Sequence, residues 1–278
     1  MANLQLLRKR LKSVISTGQM AEAMKTVASV KYSKCSKLLK DFEDYSFACA
    51  ALLEMTGTGA FERSCTEVKN RSCFVLLTTS RGFCGGFNNE NLKFFRNELE
   101  KEKEKPLVIV LGEKGIRYCR EAGMEFETAS CSDIPSFEEA KALTERLLEI
   151  YKSGEADKVY IIAQRFINMM TQVPEKFPLL PPAENPANKA AEESTLFLPD
   201  RETAFEASAL SSLTAGIYGI MLGHAAGAQG ATVVAMRSAC DNAEETSKKL
   251  DTMINRIRQA EVTNSVIETS SSARSEEI

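Results

Sequence analysis

Residues 207–236 read ASALSSLTAGIYGIMLGHAAGAQGATVVAM, thirty residues without an Asp, Glu, Lys or Arg. Length and charge alone admit a membrane span. The content argues for something else. Ser208, Ser211, Ser212, Thr214, His224 and Gln229 dilute the stretch, and five glycines among many alanines bring little transfer energy. The periodicity is that of a packed helix. Leu210, Leu213, Ile217, Ile220, His224, Gly227, Ala231 and Val234 form one seam, and after a phase shift Met236, Cys240, Ala243, Ser247, Leu250, Ile254 and Ile257 form another. Gly219, Gly223 and Gly227 recur every four residues and share a face. A glycine in a helix interior costs about 1 kcal/mol, so this spacing predicts a partner backbone packed close to that face.

The other end of the chain has the same character. Leu4, Leu7, Leu11, Val14, Gly18, Ala21, Met24 and Ala28, then Cys35, Leu38, Phe42, Tyr45, Cys49 and Leu52, alternate steps of three and four, with Lys31 as the interruption. The extra step of three at Gly18-Ala21-Met24 overwinds a coiled coil locally. Proline is absent before Pro106 and after Pro199. As single helices these segments would run about 70 Å and about 85–90 Å, longer than the roughly 50 Å diameter of a compact globule of this length. An antiparallel pair is the economical solution.

Between them the pattern changes. Ser72–Thr79, Pro106–Gly112 and Lys158–Ala163 are short β-branched or apolar runs, and Glu90–Lys103, Lys114–Ala122 and Phe137–Lys152 read as helices. Such alternation predicts a small parallel, Rossmann-like α/β sheet. Met169–Leu180 and Thr195–Leu198 are candidate edge strands, and Pro178–Glu193 is the most loop-like stretch. The expected organisation is a coiled-coil helix over 1–56, an α/β head over 70–200, a second coiled-coil helix over 205–270 that pairs with the first, and a polar tail over 271–278.

Composition narrows the function classes. The chain has 278 residues, 44% hydrophobic and 26% charged, with no Trp. Eight cysteines stand singly, without a C-x-x-C, and His224 is the one histidine. A zinc site and a disulfide framework are therefore not expected; reduced, mostly buried thiols are. Met1–Lys40 holds nine Lys/Arg against Glu22, a balance of +8 that leaves the remainder at −11 for a net −3. A basic arm suits nucleic acid, anionic lipid or an acidic protein. Nucleic-acid binding would want interleaved aromatics, and Tyr32 is the one aromatic in that arm. The helical pattern runs unbroken past any plausible cleavage site, so a targeting peptide is not expected.

The chemistry-bearing stretch is Thr78–Asn89, TTSRGFCGGFNN. Gly82-Phe83-Cys84-Gly85-Gly86 fits a cysteine version of a nucleophile elbow, but Cys84 lies five residues past Thr79 and its only available base would be His224 on a terminal helix. The stretch holds neither phosphate-loop nor dinucleotide fingerprint. It reads better as a strand-to-helix connection whose glycines allow close approach. An α/β hydrolase using Cys84 and a coiled-coil adaptor remain the alternatives to a scaffolding role.

Three groups of residues together resemble the γ subunit of F-type ATP synthases over essentially the whole length. They are Arg8–Val14 with Thr17, Ala23–Ala28 and Lys31; Ser80–Asn88 in the head; and Met236–Ala243 with Asn255–Thr263 near the end. The resemblance implies a rotor, a central stalk whose terminal helices form an asymmetric coiled coil inside three α and three β subunits. It implies a head seated against the ε subunit and the membrane c-ring, so that H+ or Na+ flow drives ATP synthesis. It implies no catalytic residue, cofactor or metal in this chain, and a peripheral place on the cytoplasmic face of a bacterial cell membrane. Met24 and Lys25, and higher up Arg258, Gln259 and Thr263, match positions that face the catalytic ring, while Arg81, Gly82, Cys84, Gly85 and Gly86 match the family's structural glycine signature. Two features depart from the family. Ser80 stands where Asp is usual, and the polar end after Thr263 replaces an apolar tail. The plant-type regulatory cysteine insertion is absent, since no Cys lies between Cys131 and Cys240.

Overall fold

The computed structural model describes residues 2–56, 71–102, 104–181, 197–198 and 200–275, with the side chains of 2, 3 and 268–275 excepted. Two helices, α1 (Ala2–Thr56) and α5 (Arg201–Ser275), flank a five-stranded sheet. The chain divides into two compact units, Ala28–Thr232 and the helix ends Met1–Val27 with Val233–Ile278.

Within Ala28–Thr232, the strands β1 (Ser72–Leu77), β2 (Leu107–Leu111), β3 (Glu127–Ala129), β4 (Lys158–Phe166) and β5 (Gln172–Leu180) lie in the order β3-β2-β1-β4-β5. Val75 sits in parallel register with Ile109 on one side and Ile161 on the other. All six residues of β1 are buried, because helices cover both faces of a parallel sheet. Phe74 and Leu76 face α2 (Phe87–Leu99) and α3 (Glu113–Glu121), sharing a cluster with Phe95, Cys119 and Ile162. Cys73, Val75 and Leu77 face the larger cluster built with α4 (Phe137–Lys152), α5 and α1. A capping box starts α4: Ser136 Oγ accepts from Glu139 N–H while Glu139 accepts from Ser136 N–H.

The sheet is not wholly parallel. β5 runs antiparallel to β4, as a hairpin connection of a few residues requires. Its Pro174 and Pro178 remove N–H donors from the edge, which blunts it against pairing with another chain. The short edge strand β3 escapes the periodicity argument, since three residues, Glu127 and Thr128 exposed and Ala129 half-buried, carry no pattern. Of the expected strand Thr195–Leu198, 195 and 196 lie outside the described residues, and Phe197 and Leu198 form no strand. Residues 182–193 of the expected loop also lie outside them, as do Cys65 and 276–278 of the tail.

The helices pair antiparallel in each unit. In Ala28–Thr232, Cys35 packs on Ala225 and Ala226, the Phe42 and Tyr218 rings meet edge-on at 4.8 Å, and Thr56 Oγ1 shares a 2.9 Å hydrogen bond with Ser208 Oγ. Partners descend along α5 as they ascend along α1. In the other unit, Gly18 meets Ala243 so closely that an added Cβ would stand 3.1 Å from Ala243 Cβ, and Cys240 Sγ reaches Gly18 O and Glu22. The phase-shifting glycine of the N-terminal seam is thus a point of close approach. Most seam positions are buried or half-buried; Tyr45, Leu52 and Val234 are exposed instead, and Leu53 beside Leu52 packs inward.

By length and composition, α5 is apolar enough to cross a membrane, and half of its most apolar window is buried within the protein. Residues 221–228 are buried without exception. Their apolar character is taken up by the sheet, α1 and the loop before α2.

Candidate functional site

In an open α/β sheet, ligands bind outside the carboxyl ends of the strands where the strand order reverses. Here that point lies between β1 and β4. The chain after β1 turns through Thr78–Gly86 into α2, whose N-terminus is where a phosphate would be held in a nucleotide-binding relative of the architecture.

The turn is built from its own polar groups. Asn88 donates through Nδ2 to Thr79 Oγ1 at 2.6 Å and to Cys84 Sγ at 3.1 Å, and its Oδ1 accepts from Thr79 N–H at 3.1 Å. Gly85 adopts φ +59° and Phe83 φ +67°; the second is a strained choice for an aromatic residue. One step further out, Thr78 Oγ1 donates to Leu111 O and accepts from Gly115 N–H, and Gly112 holds φ +92° against Thr78. Of the signature residues, Cys84 is buried, Gly82 half-buried, and Arg81, Gly85 and Gly86 exposed. Arg81 lies 3.9 Å from Asp133, which also pairs with Lys31 of α1.

What fills the crevice is α5. Ala228 packs on Cys84 and Phe87. A Cβ on Gly227 would meet Gln172 Cγ at 3.1 Å and Phe87 Cε2 at 3.2 Å, and one on Gly230 would meet Met169 O at 3.1 Å. The His224 ring lies 4.9 Å from that of Phe87, and its Nδ1 accepts from Gln164 N–H at 3.1 Å. Gln164 in turn donates from Nε2 to Phe87 O at 3.0 Å. The glycine face expected to meet a backbone meets mainly side chains of the head, and it does so in graded fashion. Gly219 has nothing within 4 Å, Gly223 has Phe166 Cβ at 3.8 Å, and Gly227 is closely packed.

These contacts decide what the residues can do chemically. Cys84 Sγ accepts from Asn88 and lies under Ala228. The His224 lone pair at Nδ1 is already used by Gln164, and burial lowers the imidazole pKa to about 3. A base so weak and so engaged does not activate a thiol. Cys73 and Cys119 are pushed up to about 12 and about 11 by burial, so they too are packed thiols rather than nucleophiles. Among the described residues no group of three His, Cys, Asp or Glu is placed to hold a metal ion. A hollow of about 580 Å³ lies at the far ends of α2 and α3, lined by Arg96, Leu99, Glu100, Tyr118, Glu121, Ala122 and Met124. Helix C-termini face it, which disfavours anions.

The residues expected to face a partner lie in the helix ends. Met24 and Lys25 are half-buried, and Lys25 Nζ sits 2.7 Å from Glu22, whose hydrogen bond holds the ammonium above its ordinary range. Arg258, Gln259 and Thr263 are exposed, and Thr263 Oγ1 donates to Gln259 O at 2.9 Å. Sequence reasoning missed Gln164 and Phe87, the two residues through which His224 is held. A glutamine in a strand and an aromatic after a glycine pair carry no pattern that links them to a helix far along the chain.

The family model described as ATP synthase matches residues 3–275. An ATP synthase gamma chain of Desulforamulus reducens is 31% identical, over 96% of this chain and 97% of its own length. One of Glaesserella parasuis is 29% identical with the same coverage. Among solved structures, a chain of the Euglena gracilis mitochondrial ATP synthase OSCP/F1/c-ring assembly aligns with TM-score 0.72 at 15% identity, covering 99% of this chain and 94% of that one. A chain of the rotor of the same enzyme aligns with TM-score 0.68 at 16% identity, over 94% and 99%.

Proposed function

The chain belongs to the ATP synthase gamma-chain family, the central-stalk subunit of that complex, and we propose that it acts there purely mechanically, as a shaft without chemistry of its own. The observation that carries this reading is the filled crevice. The place where an α/β sheet would take a ligand is closed by the protein's own α5, through His224, Gly227 and Ala228. A hydrolase working through Cys84 would need that crevice open and His224 free to accept a proton. An unrelated adaptor is set aside by the family membership.

The partners in this reading are three α and three β subunits around the helix pair, with ε and the c-ring at the head, on the cytoplasmic face of a bacterial cell membrane. The E. gracilis chain from the OSCP/F1/c-ring assembly, and the one from the rotor, support it by analogy of fold. Met24, Lys25, Arg258, Gln259 and Thr263 are the residues assigned to the catalytic ring. The exposed cations Arg8, Lys9, Arg10 and Lys12 would orient α1 toward acidic surfaces of that ring.

Purification of the complex from gently solubilised membranes tests the assignment. One copy of this chain with three copies each of two nucleotide-binding subunits, and ATPase activity, is the expected result. A chain alone, or with unrelated companions and no ATPase, overturns it. Within the purified complex, Arg258→Ala and Met24→Lys are expected to lower ion-driven synthesis more than assembly. Unchanged synthesis in both variants would remove those residues from the contact.

A further inference from the structure

The shaft reading uses His224 only as part of what closes the crevice, yet it is a buried ionisable group held by contacts from other elements. It is 5% exposed and sits where three elements meet. Its own helix contributes Met221, Gly223, Ala225, Gly227 and Ala228, none of them charged. From β4, Gln164 N–H points at Nδ1. From the start of α2, the Phe87 ring lies against the imidazole, and Phe87 O is tied back to Gln164. The ring is therefore neutral, with its hydrogen on Nε2, and Nε2 has no hydrogen-bond partner among the described residues.

We propose that His224 is an acid-sensitive latch that fastens α5 to the sheet and to the signature turn at neutral pH and releases them on protonation. Adding a proton to Nδ1 sets two N–H groups head-on, because Gln164 N–H already points there. The charge would also be stranded. On β4 and β5, Arg165 and Glu175 pair with each other at 2.9 Å. On α1, Lys31 pairs with Asp133, and Cys35 packs on Ala225 and Ala226. On α2, Glu90 is exposed, and the neighbouring titratable group of the turn is the Cys84 thiol. Burial favours the neutral form of the imidazole, as does the Gln164 N–H donated to Nδ1. An opened state exposes a histidine of ordinary basicity. Opening therefore takes up a proton once the pH falls below about 6.5, and its equilibrium constant grows tenfold per pH unit until the closed state also titrates.

Because the chain contains one histidine, the test is clean. The full chain, purified through a tag without histidine, is labelled with 15N-histidine and followed by NMR from pH 8 to pH 4.5. The expected result is a native signal of the neutral Nε2–H tautomer that persists through pH 5, where a free imidazole would be almost wholly protonated. A native signal titrating near pH 6.5 overturns the proposal. Opening is read by the rate at which Cys84, buried under Ala228, is labelled by a dithiodipyridine, located by peptide mass. Relative to His224→Asn, which keeps an acceptor near the Nδ1 position but cannot ionise, wild-type labelling should accelerate about tenfold per pH unit between pH 6 and pH 4.5. Parallel pH profiles in the two proteins overturn the latch. If His224→Asn fails to fold, the NMR titration of the wild type decides alone.

Discussion

Ala28–Thr232 and the unit formed by the helix ends use stretches of the same two helices, and they use them differently. In the first, α1 and α5 lie over a sheet, and the pair gains a third layer. Ile217, Met221, Leu222 and Ala226 are all but inaccessible, and the Phe42 ring meets Tyr218 edge-on and lies near Phe137. In the second, the packing among the described residues is a two-helix seam. Ala21, Met236, Leu250 and Ile254 are its buried apolar residues among those described, while Leu6, Ile15, Met20, Val27, Val262, Val266 and Ile267 are exposed. The heptad spacing is the same in both. What differs is the number of surfaces each helix can bury against, and apolar burial scales with area. A helix pair by itself covers one stripe per helix; a helix on a sheet covers nearly its whole circumference, as residues 221–228 do.

That comparison can be broken or sharpened by substitution. The largest effect is expected at the head's backbone. Gly112→Ala places a Cβ inside contact distance of Thr78 O at φ +92°, and should cost about 4 kcal/mol or more in urea unfolding of the full chain. Next, Ile217→Ala should cost about 3–4 kcal/mol, since the neighbouring sheet holds the cavity open. Ile254→Ala in the thin seam should cost about 2 kcal/mol or less, read by amide exchange along α5 beyond Val233, because two helices can close on the gap. Equal losses at Ile217 and Ile254 would remove the distinction between the units.

The smallest and sharpest test lies along one helix face. Gly227→Ala must push Phe87 and Gln172 aside and should cost about 1–2 kcal/mol net. Gly219→Ala meets nothing within 4 Å and should stabilise the isolated chain by up to about 1 kcal/mol. If Gly219→Ala stabilises the isolated chain but harms the assembled complex, the open glycine face is where another subunit packs.

Much of this was legible in the residues. The long helices follow from apolar steps of three and four, and the helix-like stretch read at Phe137–Lys152 has the bounds of α4. The three parallel strands β1, β2 and β4 follow from β-branched runs, which survive only where helices cover both faces. The resemblance found through the signature and the two helices is matched by a family model spanning residues 3–275. Less legible were β3, too short for a period, and the direction of β5, which depends on the connection rather than on its own residues. The reading of the glycine face was inverted in part. Period four places Gly219, Gly223 and Gly227 on one side of a helix, but cannot say that one end of that side faces solvent and the other faces Phe87.

Local patterns therefore determined the long helices, the parallel strands and the family, because periodicity and short motifs act over a few residues along the chain. Only the tertiary structure decided what closes the crevice at the sheet's switch point. His224, Gln164 and Phe87 are brought together from three distant segments, and no one of them carries a signal until the other two surround it. The reason is physical: a buried imidazole is defined by the donors and surfaces that desolvate it, and those arrive only when the helix docks.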